Sequence, residues 1–422
     1  MRGEGSPSGL DRVYPSVFLG SLLGGIESGW SPACDSAPPA IDEWGVLKVS
    51  AVSSGRFLEG EAKRLLEGMR GRPDLEVHPG DVLLTRANGV RSLVGIACHV
   101  SGSRAQLMLS DKTLRLVPKP STDPAFLVIL LSSQGVRRQI QILLNGGTGQ
   151  NNISQADVRT LQVPEVPMEV QRRIVAVHSA FERRIGVLER ELGKLDLLRC
   201  GLRDSGVSGP LSRLGEVLAE RPKNGYSPSE VDEWTGLLAL GLGCLTAGGF
   251  VPKQLKRIPD SPMARKFTLV DGDLLMSRAN TRDLVGLAGR YRDVGQSCIY
   301  PDLMMRLRPD ERRCLPAYLE MALASSPVRA AIRSGARGTS ESMVKISAGV
   351  VEALHIPLPS LEKQREVVEA SALLDSRIVK QRAVIAKLRT VQQGVCEDLL
   401  AGAGALDPTS PVSRGQAVLP PA

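Results

Sequence analysis

The chain has 422 residues, enough for two or three domains that each bury a core. Hydrophobic residues make up 42% and charged residues 23%, which excludes a wholly disordered chain. The formal charge of +8 and the pI of about 9.2 suit a polyanionic partner. Aromatic residues reach only 3%, which argues against binding by aromatic stacking, the usual device for single-stranded nucleic acid.

Cysteine and histidine usage indicates no metal site. The seven cysteines are dispersed without a Cys-x-x-Cys pair, and the four histidines are never spaced as i, i+4. The sequence shows no apolar signal core after Met1 and no apolar run of membrane-spanning length. We therefore expect a cytoplasmic protein with reduced thiols and no bound metal.

The first elements follow a Gly/Pro/Ser-rich opening, within residues 1–40, whose structure the sequence does not predict. An apolar, strand-like run lies in Asp42–Phe57. Gly80 and Asp81 then open the run VLL, which reads as a buried strand after a tight turn, and LVGIACHV is the expected returning strand. Residues 125–144 have helical composition and precede a small polar loop, residues 145–152.

A long helix is predicted after Pro167. Apolar residues recur in steps of three or four, a heptad stripe: Val170, Ile174, Val177, Phe181, Ile185, Leu188, Leu192, Leu195, Leu198 and Leu202. A helix of this length measures roughly 55–60 Å at 1.5 Å per residue. A stripe that long needs a partner surface.

The second half repeats this succession. Residues 232–250 match residues 42–57, and GDLLMSRANTRDLVG from Gly272 matches GDVLLTRANGVRSLVG from Gly80. Residues 318–333 again have helical composition, broken at Pro327, and precede a polar loop, residues 334–342. A second striped helix begins after Ser360, and residues 402–422 form an expected disordered tail.

The repeat predicts the architecture. From Ile153 onward the two copies align at a constant offset of 193 residues, for example Gln171 with Gln364. We interpret the chain as a tandem duplication of one unit, a variable globular part followed by a fixed helix. The predicted class is α+β: two mixed α/β domains and two long helices packed as an antiparallel coiled coil with pseudo-twofold symmetry. The alternative is that each stripe packs on its own globular domain.

Motifs for catalysis are missing from the sequence. It has no glycine-rich methyltransferase loop with an Asn-Pro-Pro-Tyr segment and no Walker lysine loop. Glu61 and Lys63, with Asp42 upstream, resemble a nuclease motif, but the second copy has no Glu-x-Lys near Lys253. We therefore expect a chain without catalytic residues.

Loops after the predicted strands suit DNA. Arginine can fork onto guanine or phosphate, asparagine can pair with adenine, and small polar loops can bind phosphate oxygens. The predicted DNA-binding residues are Arg86, Asn88, Arg91, Thr148, Gln150, Asn151, Arg278, Asn280, Arg282, Thr339, Ser340 and Lys345. The alternative is that Asn88 and Asn280 cap a turn while the arginines are solvated.

Together these phrases resemble the DNA-specificity subunits of Type I restriction–modification systems. The resemblance covers residues 12–401 and rests on IPLPSLEKQREVV with its long helix, on VPEVPMEVQRRIV at the equivalent place, and on the Gly-Asp…Leu-Val-Gly phrase in each half. It implies target recognition domains at residues 1–166 and 206–359, each binding half of a bipartite DNA site. The helices, residues 167–205 and 360–401, would fix the gap between the halves and dock two methyltransferase subunits.

The resemblance also assigns the chemistry to partners. Adenine-N6 methylation with S-adenosylmethionine would belong to the methyltransferase subunits, and cleavage driven by ATP and Mg²⁺ to the restriction subunits; this chain would bind no cofactor. Two alternatives stay open: a specificity subunit of a related two-sided-cutting (Type IIB-like) enzyme, and a coiled-coil scaffold that binds no DNA.

Overall fold

The computed structural model describes residues 14–144, 151–338 and 343–402. The chain divides into two compact units. Unit 1 takes residues 1–187 and 384–422, and unit 2 takes residues 188–383. Each unit therefore contains one globular part together with a portion of each long helix.

The globular part of unit 1 is built on two four-stranded sheets. Its strands are β1 Ser16–Phe18, β2 Leu23–Ser28, β3 Cys34–Asp35, β4 Gly45–Leu47, β5 Ala62–Leu65, β6 Val82–Thr85, β7 Ala87–Asn88, β8 Ala97–His99, β9 Leu107–Met108, β10 Thr113–Pro118, β11 Asn151–Asn152 and β12 Gln162–Pro164. The helices of this half of the chain are α1 Leu19–Leu22, α2 Ser50–Ser53, α3 Pro124–Ser132, α4 Gln134–Leu143, α5 Gln155–Thr160 and α6 Met168–Gly206. One sheet is antiparallel in the order β2-β10-β6-β8, and the other is mixed in the order β3-β5-β4-β9.

The strand predicted after Gly80 is confirmed as β6, and it is buried on both faces. Val82 and Leu84 belong to the core that α3 and α4 cover, whereas Leu83 belongs to the core around β4 and β5. Successive side chains of a strand point to opposite faces, so a strand between two cores needs an uninterrupted apolar run. This explains why VLL shows no polar alternation.

Unit 2 repeats the antiparallel sheet. Its strands are β13 Leu211–Arg213, β14 Lys223–Asn224, β15 Leu237–Leu240, β16 Leu245–Thr246, β17 Gly249–Phe250, β18 Leu255–Arg257, β19 Leu274–Ser277, β20 Ala279–Asn280, β21 Ala288–Arg290, β22 Ser297–Ile299, β23 Met304–Leu307, β24 Val344–Lys345 and β25 His355–Pro357. The helices are α7 Leu214–Val217, α8 Pro262–Arg265, α9 Pro316–Ala324, α10 Ser326–Gly335, α11 Ala348–Ala353 and α12 Leu361–Leu400. The sheet order β14-β23-β19-β21 corresponds strand for strand to that of unit 1, beside a three-stranded sheet β18-β15-β22.

The two predicted helical segments each split into a pair. Ser133 separates α3 from α4 and Ser325 separates α9 from α10, both with extended backbone (ψ of 147° and 148°). Pro327 lies in the first turn of α10, where its missing N–H costs no hydrogen bond. The break expected from the proline is thus confirmed, and it also occurs in the first copy, which has no proline there.

A buried glutamine ties the start of each long helix to its unit. Gln171 in α6 accepts a hydrogen bond from Asp123 N at 2.8 Å and donates to Ser121 O and Val166 O at 3.0 and 2.8 Å. Gln364 in α12 makes the corresponding three bonds. Because every polar atom of these buried amides is paired, the glutamines are tolerated in the core and orient the helices.

Within each unit the portions of α6 and α12 run antiparallel. In unit 1, Gln392 donates to His178 O and Glu182 Oε1 at 3.2 and 3.0 Å. In unit 2, Gln381 donates to Leu188 O and to Glu191 Oε2, each at 3.0 Å. The glutamines that interrupt the apolar stripe of α12 therefore pair with a carbonyl and a carboxylate of α6.

One strand prediction is wrong. In residues 42–57 only Gly45–Leu47 is a strand, because the run then turns into α2, whose Ala51 and Val52 are fully buried. Residues 232–250 hold β15 followed by a 3-10 turn at Leu242–Cys244 instead of one strand. A short apolar run has no period that distinguishes a strand from a buried helical turn.

Candidate nucleic-acid interface

Arg86 and Arg278 lie where three backbone segments of their unit meet. The Arg86 N–H donates to Lys112 O at 2.8 Å, and its carbonyl accepts from Ile153 N at 3.0 Å. Arg278 repeats both bonds at 2.8 and 2.9 Å. Each guanidinium approaches one further carbonyl oxygen at 3.5 Å, the outer limit of a hydrogen bond. The loop that follows each strand therefore starts from a fixed point.

Asn88 and Asn280 brace the turns that follow. The Asn88 side-chain oxygen accepts from Val90 N at 2.9 Å, and that of Asn280 accepts from Thr281 N at 2.8 Å. Such bonds from an asparagine side chain to nearby backbone stabilise turns. Both side-chain oxygens therefore cap a turn, as the alternative interpretation of Asn88 and Asn280 expected.

Arg91 and Arg282 join the same loops to the ends of helices. Arg91 donates to Gln141 O at 2.6 Å near the end of α4, and Arg282 donates to Arg333 O at 3.3 Å near the end of α10. Carbonyls of the last helical turn have no partner within the helix, so an arginine is a natural cap for them. Both guanidinium groups thus help to position the loop.

Sequence reasoning missed a second pair of arginines behind these loops. Arg137 in α4 donates to Val94 O and Ser92 O at 2.9 and 2.8 Å. Arg329 in α10 donates to Val285 O at 2.8 Å and to Asp283 O at 2.9 Å. Burial lowers the pKa of both guanidinium groups. The sequence could have revealed this pair, because Arg137 and Arg329 occupy equivalent positions in the two copies.

Part of the predicted interface lies outside the described residues. This applies to Thr148, Gln150, Thr339 and Ser340. Asn151 and Lys345 are described: Asn151 pairs with Asn88 between β11 and β7, and Lys345 pairs with Ala279 between β24 and β20. The structure therefore brings the end of the first polar loop, and the strand after the second, next to the Arg-Ala-Asn phrase of the same unit.

Unit 2 places two cations directly opposite one another. Arg337 and Lys345 exchange both backbone hydrogen bonds, at 2.8 and 2.7 Å, as an antiparallel bridge. Side chains of such a pair leave the ribbon on the same side, with Cα atoms about 5.5 Å apart, and like charges there are destabilising. Both residues are exposed, and among the described residues neither has an acidic partner. An anion between them would remove the repulsion.

The corresponding surface of unit 1 is less basic. Arg333 and Lys345 align with Gln141 and Asn152 of the first copy. Arg278 and Arg282 align with Arg86 and Arg91, so that part is common to both units. The arrangement can hold phosphate groups in both units, and these aligned positions carry more positive charge in unit 2.

Among the described residues, no group of three or more His, Cys, Asp or Glu side chains could hold a metal ion. Burial raises the pKa of Cys98 and of Cys314 to about 12, which leaves these thiols protonated and unreactive at neutral pH. No helix within the described ranges is long and apolar enough to cross a membrane.

Comparison with curated proteins finds Type I restriction enzyme specificity subunits. No family model matches the chain. The EcoEI specificity subunit of Escherichia coli is 33% identical over 197 residues, which is 46% of this chain and 33% of that protein. The EcoKI specificity subunit of E. coli K12 is 23% identical over 322 residues, 69% of this chain and 67% of that protein. The chain thus spans a third of the first relative and about two thirds of the second.

Solved structures share the fold. One is a chain from a structural study of complex assembly and conformational transition in the type I R-M system, with a TM-score of 0.59 and 20% identity. It is matched over 94% of this chain and 100% of its own length. Another is the Type I restriction–modification S subunit from M. genitalium, with a TM-score of 0.50 and 13% identity. The match covers 93% of this chain and 97% of that subunit. These findings confirm the resemblance: the curated proteins that this chain matches are named Type I restriction enzyme specificity subunits, and the solved structures share its fold.

Proposed function

We propose that this chain is the specificity subunit of a Type I restriction–modification complex, a non-catalytic protein that reads a bipartite DNA target. Residues 1–166 and 206–359 each bind one half of the site. The observation that carries the proposal is the repeated, braced loop of each unit, with an arginine at the end of a buried strand and a polar segment paired beside it.

The charge of unit 2 supports DNA as the ligand. Arg337 and Lys345 face the same side of one ribbon, and Arg282 lies at the adjoining helix end. Phosphate groups repeat along DNA and accept hydrogen bonds from both arginine and lysine. A series of phosphates therefore satisfies this cluster better than one acidic side chain would.

The long helices set the distance between the two recognition domains in this proposal. Residues 167–205 and 360–401 form an antiparallel coiled coil, whose support is the set of bonds from Gln381 and Gln392 to α6 within the two units. Inserting four residues, about one turn, into either helix should change the gap between the half-sites and leave their sequences unchanged. A changed half-site with an unchanged gap would contradict the spacer role.

The partners complete the activity. Two methyltransferase subunits dock on the helices and hold S-adenosylmethionine, and restriction subunits use ATP and Mg²⁺ for cleavage. Methyl transfer by this chain alone is expected to be absent. A methylome of the host should show two short half-sites around a fixed gap, and a two-sided-cutting relative would be distinguished by cleavage on both sides of such a site.

DNA binding is tested by fluorescence anisotropy of the full chain with duplex DNA at several salt concentrations. Removing both charges with Arg337→Gln and Lys345→Gln should lower the slope of log affinity against log salt by about 1.8, since each phosphate contact contributes about 0.9. Arg312→Gln is the matched control, because Arg312 is exposed and pairs with Asp310 outside the cluster. Equal slopes for all variants would remove the cluster from the interface, and no duplex binding at all would favour the scaffold alternative.

A further inference from the structure

Unit 2 contains a cavity of about 380 Å³ that the proposed DNA interface does not use. Its walls are one side of α9, segments of α6 and α12, and the loop of residues 246–249. Small residues keep it open, among them Ala317 and Ala324 on α9, Gly248 in the loop and Ala372 on α12. The volume lies at the lower end of the range for small-molecule sites, roughly 300–1,000 Å³.

The cavity is strongly basic. Five arginines line it against two carboxylates: Arg199, Arg203, Arg290, Arg292 and Arg329 against Glu320 and Asp375. Both carboxylates are already paired, Glu320 with Arg290 at 2.6 Å and Asp375 with Arg199 at 3.4 Å. Arg292 is likewise paired, with Asp271 outside the wall at 3.4 Å, and Arg329 donates to two backbone carbonyls.

Two of the arginines have donors without acceptors. The side chain of Arg203, in the last turn of α6, makes no hydrogen bond or ion pair with any part of the chain that the structure describes. The Nε of Arg199 is buried and has no hydrogen-bond partner, although its terminal nitrogens contact Asp196 and Asp375. A guanidinium group has five N–H donors and no acceptor, so only an anion or another acceptor can satisfy these groups.

Unit 1 forms the counterpart of this cavity without the arginines. A cavity of about 260 Å³ is lined there by Gln392 and Cys396, which align with Arg199 and Arg203. His178 takes the place of Ser371. No lysine or arginine lines it. The fold thus produces the space in both units, and the arginines are a separate property of unit 2.

We propose that the cavity of unit 2 binds a small anion bearing a chain of phosphates. Planar guanidinium groups form paired hydrogen bonds with phosphate oxygens, and several of them around one space suit a polyphosphate better than a single carboxylate. Free polyphosphate and the phosphate chain of a nucleotide share this chemistry. Arg329 joins the cavity wall to the Arg-Ala-Asn loop through its bonds to Asp283 O and Val285 O, but the inference does not rest on the proposed DNA reading.

Isothermal titration calorimetry of the full chain with inorganic tripolyphosphate tests the proposal. Saturable binding is expected in phosphate-free buffer. Arg203→Gln should weaken it about tenfold or more, because one charge-assisted contact is lost, and Arg203→Lys should weaken it less. Since Arg203 has no partner in the described chain, Arg203→Gln leaves the fold intact, which circular dichroism checks. Arg312→Gln removes the same charge outside the cavity and should bind as the parent does.

Titrations with a nucleoside triphosphate identify the source of the phosphates. A nucleoside triphosphate that binds more tightly than tripolyphosphate indicates a nucleotide, and equal affinity indicates the phosphate chain alone. Absence of saturable binding at millimolar tripolyphosphate overturns the proposal. So does equal weakening by Arg203→Gln and Arg312→Gln, which would show only general charge attraction. Loss of duplex DNA binding in Arg203→Gln without tripolyphosphate binding would place Arg203 in the DNA interface instead.

Discussion

Gln364 is the residue that most directly tests how α12 is held to unit 2. Its exposed fraction is 0%, and its side-chain oxygen accepts from Leu315 N at 2.9 Å. Its amide nitrogen donates to Arg313 O and Pro359 O at 2.9 and 3.0 Å. Gln364→Ala removes all three hydrogen bonds and leaves one partly buried N–H and two partly buried carbonyl groups without that partner.

The expected loss follows from these contacts. A hydrogen bond contributes about 1 kcal/mol net to stability, and a buried group left unpaired costs about 1–3 kcal/mol. Three bonds therefore give a loss of about 3–4 kcal/mol in the free energy of unfolding, if water entering the vacated space satisfies part of the demand. This is a large share of the roughly 5–15 kcal/mol typical of a folded domain.

Urea unfolding followed by circular dichroism measures the loss, and hydrogen–deuterium exchange locates it. The Leu315 amide should exchange faster in Gln364→Ala, while the Asp123 amide, held by Gln171 in unit 1, should not change. Gln393→Ala is the control, since Gln393 is exposed on the same helix and its loss should stay within about 0.5 kcal/mol. A loss below about 1 kcal/mol with unchanged exchange at Leu315 would refute the anchoring role.

Three further results are expected. Gly286→Ala should lose about 2–4 kcal/mol in urea unfolding, because Gly286 has φ of 70° and a Cβ there would lie 2.4 Å from a methyl carbon of α10. Gly272→Ala, with φ of 90° and open space, should lose about 1 kcal/mol, and equal losses would exclude the steric cause. A thiol reagent at pH 8 should label exposed Cys200 in the native chain and spare Cys98, whose pKa burial raises to about 12; equal labelling rates would contradict that burial. Burial lowers the pKa of His178 below its ordinary 6.5, so the folded state takes up this proton less readily than the unfolded state. Stability should therefore fall as pH drops below 6.5, and His178→Gln should flatten this fall in thermal unfolding; an unchanged slope would show that another group causes it.

The strands and helices of the repeat were predictable where the pattern was long or bounded by glycine. Gly80 and Gly272 have positive φ of 98° and 90°, which only glycine adopts freely, so Gly-Asp marked the turn before β6 and β19 correctly. The heptad stripe extends over enough turns to identify α6 and α12. The short run after Trp44 was misjudged, because a few apolar residues fit either a strand or a buried helical turn.

The sequence led to the loops of the candidate interface but not to the contacts that hold them. Asn88 and Asn280 of the Arg-Ala-Asn phrase brace turns with the side-chain oxygens that the sequence offered for pairing with adenine. Arg137 and Arg329 support those loops from a distant helix, and Arg337 meets Lys345 across a ribbon. Such pairings join residues far apart in sequence, so local patterns contain no record of them.

The sequence by itself predicted that one unit occurs twice, that each copy ends in a long striped helix, and that the charge favours a polyanion. These properties are periodic or additive, and they can be read without knowing which residues meet. Only the tertiary structure decided which donors are satisfied: the side chains of Gln171 and Gln364 are completely paired, whereas the Nε of Arg199 in the cavity of unit 2 has no partner. Hydrogen-bond satisfaction depends on partners brought together from distant segments, and folding alone supplies those partners.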